Sequence, residues 1–468
     1  MKTSEALNLI VRIEKSFDTS LIIWNGLSTW PLLRKILWLK LISVNPSTSI
    51  EKPATNFFNF IRLIASSIYQ KFKITKLNKD SEKIFFSRPE YLQIINSDRY
   101  VDKIVDPIIE SFNSSVSVTK YYFSNISHKK KLIHDYSRFP HNVYLGIINL
   151  SQKEKRFLFE IQRFLKIDCL QLEKAYKKEL RTFIGWYTSA KSVFKKNVNL
   201  KEVYISCWYC PETMAICAAA KELGIKSIDI QHGKQGKFQA MYSGWTKIPE
   251  NGYALMPDRF WCWGKPSCDH ILASSPQRKK HIPFIGGYPW IDYYKKNILT
   301  YSKKKSEKRI RVLVTLQSIQ GSNTQRIPDF LIEFLSNCDE KDIEFIFRLH
   351  PNDKEGYSFC NERLKLINPV LYSIDTGVQN LYDVFRVVTH HITAYSSCCY
   401  EASLFNIPTL LYGPDSKEIY EDEIKNKVFS WTDCNADEMI SWLHTDRDTD
   451  SKITNQYIDN SLHKYNPL

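Results

Sequence analysis

The sequence predicts an α/β protein made of two doubly wound domains in tandem. Short apolar segments alternate with helical segments in two series, residues 202–285 and residues 311–412. Such strand–helix–strand alternation is typical of parallel βαβ units. A basic, polar stretch separates the two series. We therefore expect three parts: an N-terminal α/β domain with helical insertions at 1–295, a linker at 296–309, and a C-terminal α/β domain at 310–468.

The N-terminal third has weaker patterns. Strands are predicted at Ile84–Ser87 and Val143–Asn149, and residues 154–195 show a long helical periodicity. At the other end of the chain, the last helix could pack back on the N-terminal domain. These elements complete the predicted N-terminal domain, but they carry no recognisable motif.

Composition limits the class of protein. The chain has 468 residues and a net charge of +15, and its 43% hydrophobic content is enough for large cores, which excludes wholesale disorder. No apolar run of about eighteen residues predicts a transmembrane helix. The first residues lack the apolar run of a secretory signal. The positive charge favours an anionic partner, but the motifs of nucleic-acid-binding modules are absent, so we expect no nucleic acid.

The 11 cysteines predict reduced thiols, because they are odd in number, irregularly spaced and found in a chain without an export signal. One close pair occurs, in Cys207-Trp-Tyr-Cys210. A zinc site needs a second close pair, and Cys262 and Cys268 are poorly spaced for one. We therefore expect no metal site, and we expect these cysteines in cores or at strand ends.

A helix beginning at Pro31 has apolar residues on one face, with Arg34, Lys35 and Lys40 off that face. A basic amphipathic helix of this kind can lie on an anionic bilayer. Packing against the domain core is the alternative.

The first candidate site lies at a strand end in the N-terminal domain. Ligands of doubly wound sheets bind outside the carboxyl ends of the strands. His232 follows the strand that ends at Ile230 and precedes Gly233, where the backbone can approach a ligand closely. An imidazole there can act as a general base. Glu212, just after strand 202–207, is a second candidate base. A histidine that only closes a turn is the alternative.

The second candidate site follows the strand predicted at 344–349. Arg348 and His350 alternate along the chain, so their side chains share one face, and Pro351 ends the strand. A guanidinium beside an imidazole suits a phosphate or a nucleotide. Two surface polar residues at a turn are the alternative.

The third candidate site lies where strand 387–393 runs into a helix. Ser396 and Ser397 fall at the helix cap and first turn, where hydroxyls and free N–H groups can bind an anion. Glu401 can accept hydrogen bonds from ribose hydroxyls. A plain serine cap explains each serine taken singly. Two such motifs at two strand ends of one domain favour a shared nucleotide site.

Several other nucleotide-binding and catalytic motifs are absent. The sequence contains no glycine-rich dinucleotide fingerprint, P-loop, kinase motif or serine nucleophile elbow. Their absence weakens interpretations as a dehydrogenase, an ATPase or a hydrolase.

The order of these motifs resembles bacterial surface-polysaccharide glycosyltransferases of the GT-B class. Gln-His-Gly, Arg-Leu-His-Pro and Ser-Ser…Glu-Ala…Pro follow one another within residues 202–415. The last two are similar to elements of polysialyltransferases, Kdo transferases and CDP-glycerol polymerases. The segments at 229–233, 244–250 and 257–264 resemble O-antigen and capsule transferases. The resemblance implies two Rossmann-like domains with an interdomain cleft.

The resemblance also implies roles for residues. His350, Ser396 and Ser397 match residues that contact the donor nucleotide and its phosphate, and we place three further residues with them: Arg348, Pro351 and Glu401. His232 matches a catalytic histidine of the polymerases, although the flanking Trp and Thr-Pro are missing here. Four residues are assigned to the acceptor or cleft side: Gln231, Gly233, Lys234 and Gln235.

We therefore expect a cytoplasmic glycosyltransferase that moves a sugar from a nucleotide-activated donor to a growing O-antigen or capsule. Positive and hydrogen-bonding groups would stabilise the leaving nucleotide, so no metal or other cofactor is expected. Expected partners are the nucleotide-sugar donor, a lipid-linked glycan acceptor and the anionic inner face of the cell membrane. A nucleotide-sugar epimerase of similar fold and a non-catalytic scaffold of the assembly complex are the alternatives.

Overall fold

The structure is a computed structural model, and its described residues divide into two units. It describes residues 2–42, 81–95, 99–112, 115–124, 126, 130–274, 279–297, 309–317, 327–338, 342–350, 353, 355–377, 380–445 and 456–459. Unit 1 comprises the described residues within 1–92 and 98–286, and unit 2 comprises those within 93–97 and 287–462. The change from unit 1 to unit 2 falls at residue 287, before the predicted linker, most of which lies outside the described residues. The end of the chain after residue 459 also lies outside them, and with it the possible packing of the last helix on the N-terminal domain.

Unit 1 contains helices and strands in alternation. Its helices are α1 (Thr3–Ser16), α2 (Trp30–Ile42), α3 (Asp106–Glu110), α4 (Gln152–Leu165), α5 (Cys169–Lys196), α6 (Pro211–Glu222) and α7 (Lys265–Ala273). Its strands are β1 (Ile23–Trp24), β2 (Leu27–Ser28), β3 (Lys83–Ser87), β4 (Leu92–Ile94, at the boundary), β5 (Arg99–Asp102), β6 (Val118–Tyr122), β7 (Lys131–Leu132), β8 (Ser137–Arg138), β9 (Glu202–Ser206), β10 (Lys226–Ile230), β11 (Arg259–Cys262) and β12 (Ile282–Ile285).

The ends of the unit 1 helices follow from local chemistry. Ser151 precedes α4 and accepts a hydrogen bond from the Glu154 backbone N–H, while the Glu154 carboxylate accepts one from the Ser151 N–H. Helix α6 begins at Pro211, whose missing N–H costs nothing in a first turn. It ends before Gly224, which has a φ of +69° that suits glycine.

The principal sheet of unit 1 is parallel throughout. Its strand order is β12-β11-β10-β9-β3-β6-β8. On one side of the sheet, β6 and β8 follow β3 in chain order towards the edge. On the other side, β10, β11 and β12 follow β9 towards the opposite edge. The order therefore reverses between β3 and β9, and in sheets of this kind a crevice opens outside the carboxyl ends at such a reversal.

The prediction of a strand at Val143–Asn149 is wrong. This segment has no regular secondary structure and lies against α5, where the Asn142 N–H donates to the Ser189 hydroxyl at 2.8 Å. Ile148 is buried and Ile147 is 83% exposed, so the alternation that predicted a strand arises from packing on a helix. The strands β6 and β8 were not predicted.

Unit 2 repeats the same architecture. Its helices are α8 (Trp290–Asn297), α9 (Asp329–Asn337), α10 (Gly356–Leu364), α11 (Leu381–Phe385), α12 (Cys398–Ser403), α13 (Pro414–Ile419), α14 (Glu421–Lys425) and α15 (Ala436–Leu443). Its strands are β13 (Ile310–Thr315), β14 (Ile343–Arg348), β15 (Tyr372–Asp375), β16 (His390–Thr393), β17 (Thr409–Tyr412) and β18 (Ser430–Thr432). The order β15-β14-β13-β16-β17-β18 is again all parallel and reverses between β13 and β16. The predicted fold of two Rossmann-like α/β domains is confirmed.

The basic face predicted for helix α2 does not exist. Arg34 is completely buried, Lys35 pairs with Glu179 at 2.8 Å, and Lys40 is partly buried. The alternative, packing against the domain core, is confirmed. Within the described residues, no helix is both long and apolar enough to cross a membrane.

Arg34 belongs to a buried network that ties α1 and α2 to the loop before residue 247. Its guanidinium pairs with Glu14 and donates to the backbone oxygens of Ala240 at 3.0 Å and Ser243 at 2.7 Å. Glu14 also accepts hydrogen bonds from the Trp30 indole N–H at 2.8 Å and from the Thr246 N–H at 2.8 Å. Each of the two buried charges therefore has its counter-ion and further hydrogen-bond partners within unit 1.

Replacing Glu14 by glutamine should destabilise unit 1 strongly. Glu14→Gln leaves the Arg34 charge buried without its counter-ion, and breaking such a pair costs about 3–5 kcal/mol. Urea denaturation followed by circular dichroism measures the loss. Glu179→Gln removes the partner of the more exposed Lys35 and is the control, with an expected cost below about 1 kcal/mol. Equal stability of the two variants would contradict this account.

Candidate functional site

The strand-order reversal of unit 1 gathers residues from three strand ends. Arg88 follows β3, the loop Cys207–Cys210 follows β9, and His232 follows β10 at a distance of two residues. Because β3, β9 and β10 are parallel neighbours, their carboxyl ends lie at one edge of the sheet. We call this group the unit 1 edge.

His232 lies between two aromatic rings at this edge. Its ring centroid is 6.1 Å from that of Tyr91 and 6.3 Å from that of Tyr209. The Nδ1 atom is buried and has no hydrogen-bond partner. Burial, helped by the positive charge of Arg88, lowers the pKa of His232 to about 4. The imidazole is therefore neutral at ordinary pH and can accept a proton.

Arg88 is the residue of this edge that sequence reasoning missed. Its Nε is buried without a hydrogen-bond partner, and its guanidinium lies 5.0 Å from the centroid of the Phe123 ring. Burial alone would lower its pKa, but the nearby Cys210, Cys207, Tyr91 and Glu212 raise it, so the group stays charged. The strand-end criterion used for Arg348 would have found it, since Arg88 directly follows the predicted strand Ile84–Ser87.

Buried polar atoms without partners mark the unit 1 edge as a place for a ligand. Two of them are serine hydroxyl oxygens, Ser87 Oγ at the end of β3 and Ser206 Oγ at the end of β9. The other two are the nitrogens Arg88 Nε and His232 Nδ1. Each such atom costs about 1–3 kcal/mol unless water or a ligand satisfies it. An arrangement of this kind can bind a polar molecule and accept its proton.

Of the residues assigned to the acceptor side, Gln231 has a structural role. Its side-chain N–H donates to the Gly233 oxygen at 2.8 Å, and its amide oxygen accepts from the Trp263 N–H at 2.7 Å. These bonds shape the turn that presents His232. At Gly233 an added methyl group would meet nothing within 4 Å, so open space lies beside this turn.

The other residues predicted for this edge lie nearby. Glu212 is in the first turn of α6, is partly buried and acts electrostatically on Arg88. Lys234 is also partly buried, whereas Gln235 is 2% exposed with its side-chain nitrogen unpartnered. His232 and Glu212 therefore both interact electrostatically with Arg88, and their catalytic roles remain predictions.

The reversal of unit 2 brings the two predicted donor motifs to one sheet edge. Thr315, the last residue of β13, lies in register with Arg348 on β14 and with Thr393 on β16. The segment that contains Ser396 follows β16. The motifs therefore flank the end of β13, as expected from the parallel sheet.

Arg348 and His350 differ in their surroundings. Arg348 is 9% exposed, and its guanidinium pairs with Asp375, which the sequence did not indicate. His350 is partly buried, and burial lowers its pKa although Asp353 opposes this effect. A neutral imidazole can still donate a hydrogen bond to a phosphate. Pro351 lies outside the described residues.

The serine motif forms part of a helix start. Ser397 is the cap residue of helix α12, and its side chain makes no capping hydrogen bond. The Ser396 hydroxyl accepts a hydrogen bond from the Cys398 N–H at 3.3 Å, so one of the free N–H groups is already satisfied. The roles of the two serine hydroxyls in binding an anion remain predictions.

Glu401 has internal partners that the sequence did not reveal. It is 2% exposed and accepts hydrogen bonds from the hydroxyls of Tyr288, at 2.6 Å, and Tyr382. These tyrosines compete with the ribose hydroxyls assigned to it, and that assignment remains a prediction.

Gln317 was missed at this edge. It lies two residues after β13, and its side-chain nitrogen is buried without a partner. Its position just beyond the strand 311–316 was the signal that could have identified it.

The next feature to consider is whether side chains are arranged to bind a metal ion. Among the residues that the structure describes, no group of three or more His, Cys, Asp or Glu side chains is arranged to hold an ion. That the proposed activity needs no metal ion remains a prediction.

Two parallel Rossmann-like units with polar residues at each reversal define the GT-B type of fold. A solved UDP-N-acetylglucosamine 2-epimerase is similar, with a TM-score of 0.50 and 13% identity over 82% of this chain and 93% of that one. The UDP-GlcNAc 2-epimerase from Neisseria meningitidis (0.47; 12% identity; 81% and 95%) and the wall teichoic acid polymerase TagF (0.42; 11% identity; 86% and 88%) also match. Similarity at such identity shows the fold alone. No protein-family model and no curated protein matches the sequence.

The pKa of His232 should be measurable by NMR in protein labelled at histidine. We expect a midpoint near 4, with the neutral form above it. Arg88→Gln should raise the midpoint, because a positive charge is removed, but not to the ordinary value of about 6.5, because burial remains. Lys103→Gln, a weaker neighbour, is the control and should raise it less. A midpoint near 6.5 in the parent protein would contradict the described environment.

Proposed function

We propose that the protein is a glycosyltransferase that moves a sugar from a nucleotide-activated donor onto a growing bacterial surface polysaccharide. One observation carries this proposal: each of two parallel sheets collects polar side chains at the reversal of its strand order. Two such sites suit an enzyme with two substrates, because one can bind the donor nucleotide and the other can supply the group that activates the acceptor.

The donor nucleotide would bind at the edge of unit 2. His350, the Ser397 hydroxyl and the Gln317 amide can donate hydrogen bonds to its phosphates, which supports leaving-group stabilisation without a metal ion. Arg348 would contribute if the incoming phosphate shares its guanidinium with Asp375. A nucleotide diphosphate or monophosphate fits this set of donors.

The acceptor hydroxyl would be activated at the edge of unit 1. His232 is neutral, has an unpartnered ring nitrogen and adjoins open space at Gly233. It can remove the hydroxyl proton as the new glycosidic bond forms, and Arg88 can stabilise negative charge nearby. Glu212 is the second candidate base.

The O-antigen or capsule, the lipid-linked acceptor and attachment to the cytoplasmic face of the membrane belong to the same proposal. The net charge of +15 supports contact with anionic lipids. The buried position of Arg34 removes helix α2 from that argument.

A nucleotide-sugar 2-epimerase is the second candidate. The observation in its favour is the similarity in fold to a UDP-N-acetylglucosamine 2-epimerase. An epimerase needs one substrate and changes the configuration of the sugar. A non-catalytic scaffold is the third candidate, and it would leave the unpartnered groups of the unit 1 edge without a purpose.

Product analysis with UDP-, GDP-, CDP- and CMP-sugars separates the candidates. A glycosyltransferase releases the nucleotide rapidly only when a lipid-linked glycan is present, and the glycan gains a sugar. An epimerase produces a second nucleotide-sugar isomer without an acceptor. A scaffold does neither, and this outcome would refute the proposal.

His232→Ala should lower turnover by roughly 10²–10⁴-fold, the usual scale for the loss of a general base. Nucleotide affinity should change little, because the donor site is assigned to unit 2. Steady-state kinetics and calorimetry measure the two effects. His134→Ala, at a histidine paired with Glu110, is the control. Near-normal turnover of His232→Ala would reject this base and direct attention to Glu212.

His350→Ala should weaken nucleotide binding by roughly 1.5–3 kcal/mol, because a hydrogen bond to a charged phosphate is lost. Calorimetry with UDP, GDP, CDP and CMP, without acceptor, measures it. The exposed His444 at the end of α15 provides the control variant, His444→Ala. If His350→Ala binds every nucleotide as the parent does, the donor site lies elsewhere.

A further inference from the structure

Two thiols face each other at the unit 1 edge. The Sγ atoms of Cys207 and Cys210 are 3.5 Å apart and share a hydrogen bond. Cys207 follows β9, and Cys210 is the cap residue of α6. Both side chains are partly exposed, whereas the thiols of Cys217 and Cys262 are buried. The pair therefore retains some exposure to solvent, unlike Cys217 and Cys262.

The loop that holds the pair is fixed by bonds from outside it. The Trp208 N–H donates to the buried Asp229 carboxylate at 3.1 Å. The Thr213 hydroxyl lies 2.9 Å from the Cys207 oxygen and 3.0 Å from the Cys210 oxygen. Cys207 has a φ of 60°, which is unfavourable for a residue with a side chain and persists here because these bonds hold the turn. The two sulfurs are thus kept together.

The two thiols are chemically unequal. The hydrogen bond from Cys207 and the charge of Arg88 lower the pKa of Cys210 to about 7, against the effect of burial. The same hydrogen bond and burial raise the pKa of Cys207. A cap position at a helix N-terminus also favours a thiolate. Cys210 is accordingly the attacking sulfur and Cys207 the resolving one.

We propose that Cys207 and Cys210 form a redox-active dithiol that closes reversibly to an intramolecular disulfide by exchange with a low-molecular-weight disulfide. The Cys210 thiolate attacks one sulfur of the oxidant, forms a mixed disulfide and releases a first thiolate. Cys207 then gives up its proton, and its sulfur attacks Cys210 Sγ, which forms the new S–S bond and expels a second thiolate. The protein loses two electrons and two protons, and the oxidant becomes two thiols.

The position of the pair connects its redox state to the candidate base. Tyr209 lies between the two cysteines, and its ring is adjacent to the His232 ring. Closing the disulfide also removes the thiolate charge beside Arg88. The thiol chemistry itself is measured without substrate, so this inference does not rest on the proposed function.

Mass spectrometry after treatment with oxidised glutathione near pH 7 tests the proposal. The folded, reduced protein is oxidised, and its remaining thiols are then alkylated. The mass is measured for the tryptic peptide 202–221, which contains Cys207, Cys210 and Cys217. We expect this peptide to lose two hydrogens and to carry one alkyl group, at Cys217. Dithiothreitol should restore three alkylation sites. Cys210 should react roughly tenfold faster than the exposed Cys434, whose pKa is raised by burial and by Asp433.

Single variants assign the two steps. Cys207→Ser should stop at a mixed disulfide between Cys210 and glutathione, because the sulfur that would resolve it is missing. Cys210→Ser should form neither product, while Cys217→Ser and Cys434→Ser should still close the disulfide. Circular dichroism checks that each variant is folded. Three alkylated cysteines in the oxidised parent, or disulfide formation in folded Cys210→Ser, would overturn the proposal.

Discussion

The reversal of strand order between β3 and β9 is the constraint on which the unit 1 edge depends. The connections that leave these two neighbouring strands run to opposite sides, so backbone does not fill the space above their ends. Arg88 and the Cys207–Cys210 loop border that space because they are the first residues beyond the two strands. Asp229 supports the arrangement from inside the sheet, since its carboxylate accepts hydrogen bonds from the Trp208 N–H and, at 2.9 Å, from the Tyr242 hydroxyl.

The charge of Arg88 organises the electrostatics of the same edge. It favours the neutral form of His232 and the thiolate form of Cys210. A single cation thus keeps the imidazole unprotonated and favours ionisation of the Cys210 thiol. The unpartnered Nε of Arg88 leaves it able to bind a negatively charged group as well.

Much of the fold was predictable because strand and helix periodicities are local. The parallel strands β9 to β14, β16 and β17, and the strand ends that carry His232 and Arg348, follow from apolar segments bounded by polar residues, whereas β15 and β18 were not predicted. The strand β6 was missed because Lys120 interrupts its pattern. Lys120 is buried there, since its ammonium pairs with Asp106 on α3 at 2.6 Å.

Arg34 and Glu401 illustrate the same physical limit of sequence reasoning. Each is a charged residue whose partners lie on other elements: Glu14 on α1 for Arg34, and two tyrosine hydroxyls for Glu401. Sequence periodicity shows which face a residue occupies, but it does not show whether a distant group will compensate its charge. The same limit hid Asp375, the partner of Arg348.

Crystal structures of the protein soaked with UDP, GDP, CDP and CMP in turn test the central claim most directly. The account predicts that one of these nucleotides binds at the strand-order reversal of unit 2, with its phosphate within hydrogen-bond distance of His350 and of the helix start at Ser397. A well-ordered nucleotide bound anywhere else on unit 2, or on unit 1, would contradict it.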